Sequence, residues 1–150
     1  MAQLQIVVDT SGSMAEGGKM LIARGVVRAI EQYFRFGYAA AEIRLLAAGK
    51  EVREIPWTPD EEYPACLFEV GGSLDAVALA AFLNETSGQV VLISDVAWDS
   101  AVMKMLQRWN LSHPGCLRVL KVGVEKSLVR GLEVFSAEDV LELLDDWIEA

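Results

Sequence analysis

The sequence is poor in the residues on which many catalytic and metal-binding folds depend. His113 is the only histidine among 150 residues. A Ser-His-Asp or Cys-His catalytic group is therefore excluded unless His113 serves in it, and a histidine-rich zinc site is excluded outright. Two cysteines, Cys66 and Cys116, are too few for a disulfide scaffold. No apolar run approaches the roughly 20 residues a membrane span requires, because Arg, Lys, Asp or Glu interrupts each one. Positive charge is scarce: 13 Lys and Arg stand against 22 Asp and Glu, a formal net charge of -9. That balance argues against a phosphate-backbone binder, hence against nucleic acid as a partner. No basic stretch followed by an apolar one precedes the first strand-like run, so a reduced, cytoplasmic protein without a membrane anchor is expected.

Apolar residues, by contrast, are abundant. They make up 53% of the chain, and the mean hydropathy is +0.29, which excludes disorder and suits one well-filled core. Residues 1–150 are read as a single domain, since this length is too short for two ordinary ones. The acidity is lopsided. No Lys or Arg follows Arg130, whereas Glu133, Glu138, Asp139, Glu142, Asp145, Asp146 and Glu149 all do.

Periodicity supplies the architecture. Leu4-Gln5-Ile6-Val7-Val8 reads as a buried parallel strand. From about Glu16 to Arg35, Met20, Ala23, Val26, Val27, Ile30, Tyr33 and Phe34 recur at helical spacing. In this reading Lys19, Arg24, Arg28 and Arg35 line the helix's polar side. Ile43 to Ala48 and then Val52, Ile55 and Trp57 predict a strand pair joined by a tight turn at Gly49-Lys50, antiparallel and near a sheet edge. Thr58 to Pro64, with two prolines and the acids Asp60, Glu61 and Glu62, predicts an exposed loop. A helix opening at Gly71-Gly72-Ser73 runs to Leu83, a strand covers Val90 to Ile93, and a further helix covers about Asp99 to Trp109. Strands at Leu117–Val122 and Leu132–Phe135 follow. A last helix starts at Ser136 with capping-box spacing to Asp139. Alternating strands and helices predict a Rossmann-like three-layer α/β/α sandwich, with a mostly parallel six-stranded sheet and one antiparallel edge hairpin.

In such sheets ligands sit beyond the carboxyl ends of the strands. There the sequence places Asp9-Thr10-Ser11-Gly12-Ser13, one carboxylate and two hydroxyls on a short loop, and Ser94-Asp95 after the fourth strand. Gly12 is read as letting the loop curl so that several oxygens point inward. An all-oxygen set suits a hard cation such as magnesium, while soft metals would need the missing Cys and His.

Asp9, Ser11 and Ser13 form a D-x-S-x-S string after a buried strand, and in this respect the chain resembles the von Willebrand factor A family along essentially its whole length. The resemblance implies a metal-ion-dependent adhesion site. Ser73, after two glycines, stands where that family usually has threonine, and Asp95 stands at the end of the fourth strand. The implied metal ligands are Asp9, Ser11, Ser13, Ser73 and Asp95, directly or through water. Magnesium is the implied metal, with manganese or calcium as alternatives. The implied role is non-enzymatic: a bridge to an Asp or Glu side chain of a partner protein. The short chain is most similar to small, stand-alone bacterial members. These imply an adaptor or subunit of a multi-protein system, such as one containing a MoxR-type AAA ATPase.

The alternative is a magnesium-dependent phosphatase of the haloacid dehalogenase type, which also starts with a strand-terminal aspartate and carries a late acidic pair, here echoed by Asp95 and Asp99. That chemistry needs a second aspartate where this chain has Ser11. A third reading is a metal-free structural domain. Elsewhere, His113 is expected in a surface turn, Cys116 and Cys66 as small apolar fillers, and Trp109 and Trp147 in the core. Trp98 is expected on the rim of the site, against a partner.

Overall fold

The computed structural model describes residues 2–37, 41–57, 70–123, 129–145 and 147–148. The loop expected over Thr58 to Pro64, and Cys66 with it, lies outside the described residues, except that Trp57 before it is described.

In chain order the elements are β1 (Ala2–Asp9), a 3-10 turn (Gly12–Ala15), α1 (Lys19–Arg35), β2 (Ala41–Ala48), β3 (Val52–Ile55), α2 (Ala76–Glu85), β4 (Gln89–Ser94), α3 (Ser100–Ser112), β5 (Leu117–Lys121), β6 (Val134–Ser136), a second 3-10 turn (Ala137–Asp139) and α4 (Val140–Leu144). One six-stranded sheet runs in the order β3-β2-β1-β4-β5-β6. Every pairing is parallel except β2 with β3, the predicted edge hairpin. The chain has a Rossmann-like α/β fold.

Strand alternation divides the interior into two cores. Leu4, Ile6 and Val8 of β1, with Val91 and Ile93 of β4, pack against α1 and the α4 segment through Ala23, Val27, Ile30, Leu143 and Trp147. Val7, Val90 and Leu92 point the other way, onto Leu79 and Leu83 of α2 and Leu106 and Trp109 of α3. A strand buried on both faces cannot alternate apolar with polar, which is why these segments read as continuous apolar runs. Each fully buried Leu or Ile removed from water here contributes about 2 kcal/mol.

Three helix starts differ from the sequence expectation. The segment after Ser13 is split: a 3-10 turn is followed by Gly17 and Gly18 with φ of +62° and +72°, left-handed values that end one helix before α1 begins at Lys19. Helix α2 starts at Ala76, not at the glycines, because the Asp75 carboxylate accepts the Ala78 amide at 2.8 Å and caps it there. At Ser136 the hydroxyl donates to the Asp139 carboxylate at 2.8 Å. It caps no backbone amide, and a 3-10 turn precedes the short α4.

The strand order places the crossover reversal between β1 and β4, since β1 leads outward to β2 on one side while β4 leads to β5 on the other. A crevice at the carboxyl ends of these two strands follows from that topology.

Candidate metal centre at the switch point

Register decides which side chains meet in the crevice. Val8 is paired with Ile93, so the next position along brings Asp9 opposite Ser94. The two are joined: the Ser94 hydroxyl donates to Asp9 Oδ2 at 2.6 Å. Asp9 Oδ1 accepts the Ser11 amide at 2.8 Å. Ser94 Oγ itself accepts from the Val96 amide at 3.0 Å and from Trp98 Nε1 at 2.9 Å. Both lone pairs of the hydroxyl are thereby used, which leaves its proton for Asp9.

Asp95 follows directly. Its Oδ1 accepts the Ala97 amide at 3.1 Å, and its Oδ2 accepts Lys19 Nζ at 2.9 Å. This ion pair is deeply buried, with Lys19 4% and Asp95 1% exposed. Lys19 Nζ also donates to the Ser13 carbonyl at 3.2 Å. Ser11 Oγ and Ser13 Oγ lie 3.5 Å apart. The structure thus brings Asp9, Ser11, Ser13 and Asp95 to one crevice.

Ser73 is not gathered into the same hydrogen-bonded cluster. Its loop reaches the site through backbone, with the Gly12 amide donating to Gly72 O at 2.9 Å and the Gly71 amide to Thr10 O at 3.0 Å, while Ser73 itself is exposed. The role expected of Gly12 also changes. Its backbone is not left-handed, and an added Cβ would meet Gly72 O at an ordinary 3.5 Å. What Gly12 supplies is the amide that stitches the two loops together.

Three residues of the site have roles that differ from, or go beyond, those read from sequence. Ser94 is invisible as a partner of Asp9 without the register. Trp98, expected to face a partner, turns its indole N–H inward to Ser94 and is half-buried against the second core. Lys19, expected on the polar face of α1, is buried against Asp95. A weak signal for it was present: a lysine in the first turn of the helix read from about Glu16 is opposed by the helix dipole, which favours a nearby carboxylate. Val96, between Asp95 and Trp98, has φ of +63°. For a buried β-branched residue this left-handed geometry is strained by about 1–3 kcal/mol, and strain of that kind collects at functional loops.

The two carboxyls are tuned in opposite directions. Burial holds Asp9 above its ordinary 3.8; bonds from Ser94 and Ser11 oppose this, and the nearby Asp95 charge reinforces it. Asp95 is also pushed up by burial, but the Lys19 ammonium, the Ser13 hydroxyl and the Ala97 amide outweigh that and leave it below 3.8. The native state therefore binds the Asp9 proton more tightly than the unfolded chain does. In metal-free buffer, Asp9 removes stability as pH rises from the ordinary carboxylate value through its own raised one. Asp9→Asn is expected to gain on the wild type across that interval, at up to about 1.4 kcal/mol per pH unit, the slope one proton carries. Urea midpoints measured against pH check this, and a pH-independent difference between the two proteins would refute it.

The donor set fits a hard cation. It consists of oxygen alone, from two carboxylates and two hydroxyls. Among the described residues Asp9 has no ammonium or guanidinium partner in its hydrogen bonds, so its charge is the one a bound cation would neutralise. Among the described residues no group of three or more His, Cys, Asp or Glu is placed to hold a metal.

A doubly wound α/β sheet with an oxygen-lined crevice at its switch point defines the class. No protein-family model matches the sequence, and no curated protein does. The fold is that of von Willebrand factor type A domains. A von Willebrand factor type A protein from Catenulispora acidiphila superposes with a TM-score of 0.57 at 16% identity, covering 98% of this chain and 43% of that one. The manganese-loaded TRAP protein of Plasmodium vivax gives 0.57 at 12% identity, covering 99% and 74%. The protein BatB from Bacteroides thetaiotaomicron gives 0.55 at 13% identity, covering 85% and 73%. This chain thus spans less than half of the Catenulispora protein and about three quarters of the other two. Among the described residues no helix is long and apolar enough to cross a membrane.

Proposed function

We propose that this domain is a divalent-metal-dependent protein-interaction module, in which Asp9, Ser11, Ser13 and Asp95, with Ser73 from the neighbouring loop, hold magnesium. The observation that carries the reading is the meeting of two buried carboxylates and two hydroxyls at the switch point, one carboxylate lacking a cationic partner among the described residues. A metal held there would supply a Lewis-acidic position for an incoming carboxylate. The protein's own residues prepare for this: Ser94 and the Ser11 amide orient Asp9, and the zipped Thr10–Gly12 and Gly71–Gly72 backbones keep the two loops at one rim. The manganese in the Plasmodium vivax TRAP protein supports a divalent ion on this fold. Two neutral hydroxyls favour magnesium over calcium.

The domain is proposed to be non-catalytic. The phosphatase alternative needs a free nucleophilic carboxylate with an acid two residues on. Here Ser11 takes the second place, and Asp99 is spent capping α3 through the Val102 amide at 2.9 Å. The partner is proposed to be a protein that contributes an Asp or Glu side chain. By the resemblance, that partner belongs to a cytoplasmic bacterial assembly of the MoxR-type AAA ATPase kind. Nucleic acid is disfavoured by the net charge of -9.

Manganese is the probe for the test. Electron paramagnetic titration is expected to show one bound manganese per chain, displaced by magnesium and stripped by EDTA. Glutamate added to the loaded protein should lower its water-proton relaxation enhancement by displacing metal-bound water. Absence of manganese binding at millimolar concentration would overturn the reading.

A further inference from the structure

Lys19 holds a position that the proposed function does not use. Its ammonium bonds Asp95 Oδ2 at 2.9 Å and the Ser13 carbonyl at 3.2 Å, so it ties together the two loops that carry the candidate ligands. It is almost fully buried, and it does this from the first position of α1, where the helix dipole opposes a cation. A buried lysine is tolerated because Asp95 compensates it, and Asp95 is tolerated for the same reason. A second cation on the same carboxylate would face the ammonium across a few ångströms of low-dielectric interior.

We infer that Lys19 is a built-in counter-cation that competes with the divalent metal for Asp95, holding the crevice assembled when metal is absent and setting how much metal is needed to load it. The inference rests on the metal-binding reading proposed above. On release the ammonium turns toward the surface groove that Lys19 lines together with Glu16, Lys121 and Glu138.

The test compares manganese affinity of the wild type, Lys19→Gln and Lys19→Arg at fixed pH, with folding of each checked by circular dichroism. Glutamine keeps a donor for Asp95 without the charge, and arginine keeps the charge. Lys19→Gln is expected to bind manganese at least about tenfold more tightly than wild type, and Lys19→Arg to stay within about threefold of wild type. Lys19→Gln should also melt at a lower temperature in EDTA and gain more from manganese than wild type does. Equal or weaker affinity in a folded Lys19→Gln would overturn the inference while leaving the metal reading intact. If neither wild type nor Lys19→Gln binds manganese, the metal reading itself fails, and the inference with it.

Discussion

Asp9→Ala is expected to weaken manganese binding about a hundredfold while the domain still folds. Of the two described carboxylates in the crevice, Asp95 is paired with Lys19 and Asp9 with no described cation, so Asp9 contributes most of the attraction for an incoming ion. Its loss strands the Ser94 hydroxyl proton and the Ser11 amide, costing about 1–3 kcal/mol in hydrogen bonds, and a water entering the vacated space recovers part of that. Folding and metal affinity are thus separable readouts, by circular dichroism and by manganese titration. Ser94→Ala should give a milder version, about tenfold in affinity, because it leaves Asp9 in place but removes the group that aims it. It also deprives Trp98 Nε1 and the Val96 amide of their acceptor. Retention of wild-type affinity by Asp9→Ala would refute the site as assigned.

Gly88→Ala is expected to be the most damaging small substitution outside the site, at about 3 kcal/mol or more. Gly88 has φ of +83°, and a Cβ built there would lie 2.3 Å from Gln3 O, a distance no backbone tolerates. It sits immediately before β4, where that strand begins to pair with β1 through Leu4 and Gln89. Moving the backbone to admit the methyl group would disturb the register that carries Asp9 to Ser94 at the opposite end of the same two strands. Gly17→Ala is the matching control. Its φ of +62° is also left-handed, but nothing lies within 4 Å of the added Cβ. It should therefore cost only the conformational penalty, about 1–2 kcal/mol. Urea denaturation of both variants measures the contrast, and equal losses would refute the steric account.

Much of the fold was legible because each element's apolar pattern reports its burial directly. Continuous runs such as Val90 to Ile93 can be satisfied only by a strand covered on both faces, and the recurrence of Met20, Ala23, Val27 and Ile30 only by a helix with one buried stripe. Boundaries were less legible because they depend on single competing bonds. Asp75 captures the Ala78 amide and delays α2 by several residues beyond the glycines, and Ser136 spends its hydroxyl on Asp139, where a cap was expected. The basic polar side of α1 was misread at Lys19, whose long apolar stem allows it to lie on a buried face.

By itself, the sequence determined the alternation of strands and helices, hence the covered parallel sheet, and placed Asp9, Ser11, Ser13 and Asp95 after strand ends. Those conclusions follow from local periodicity and from the scarcity of His and Cys. Only the tertiary structure decided what each of these groups touches. Register brought Ser94 to Asp9, the close approach of the Gly71–Gly72 loop set Ser73 at the rim, and the packing of α1 over the sheet drove the Lys19 ammonium onto Asp95. Such contacts join residues up to 85 positions apart. Their energies depend on separations of a few ångströms and on exclusion of water, quantities that exist only once the chain has folded.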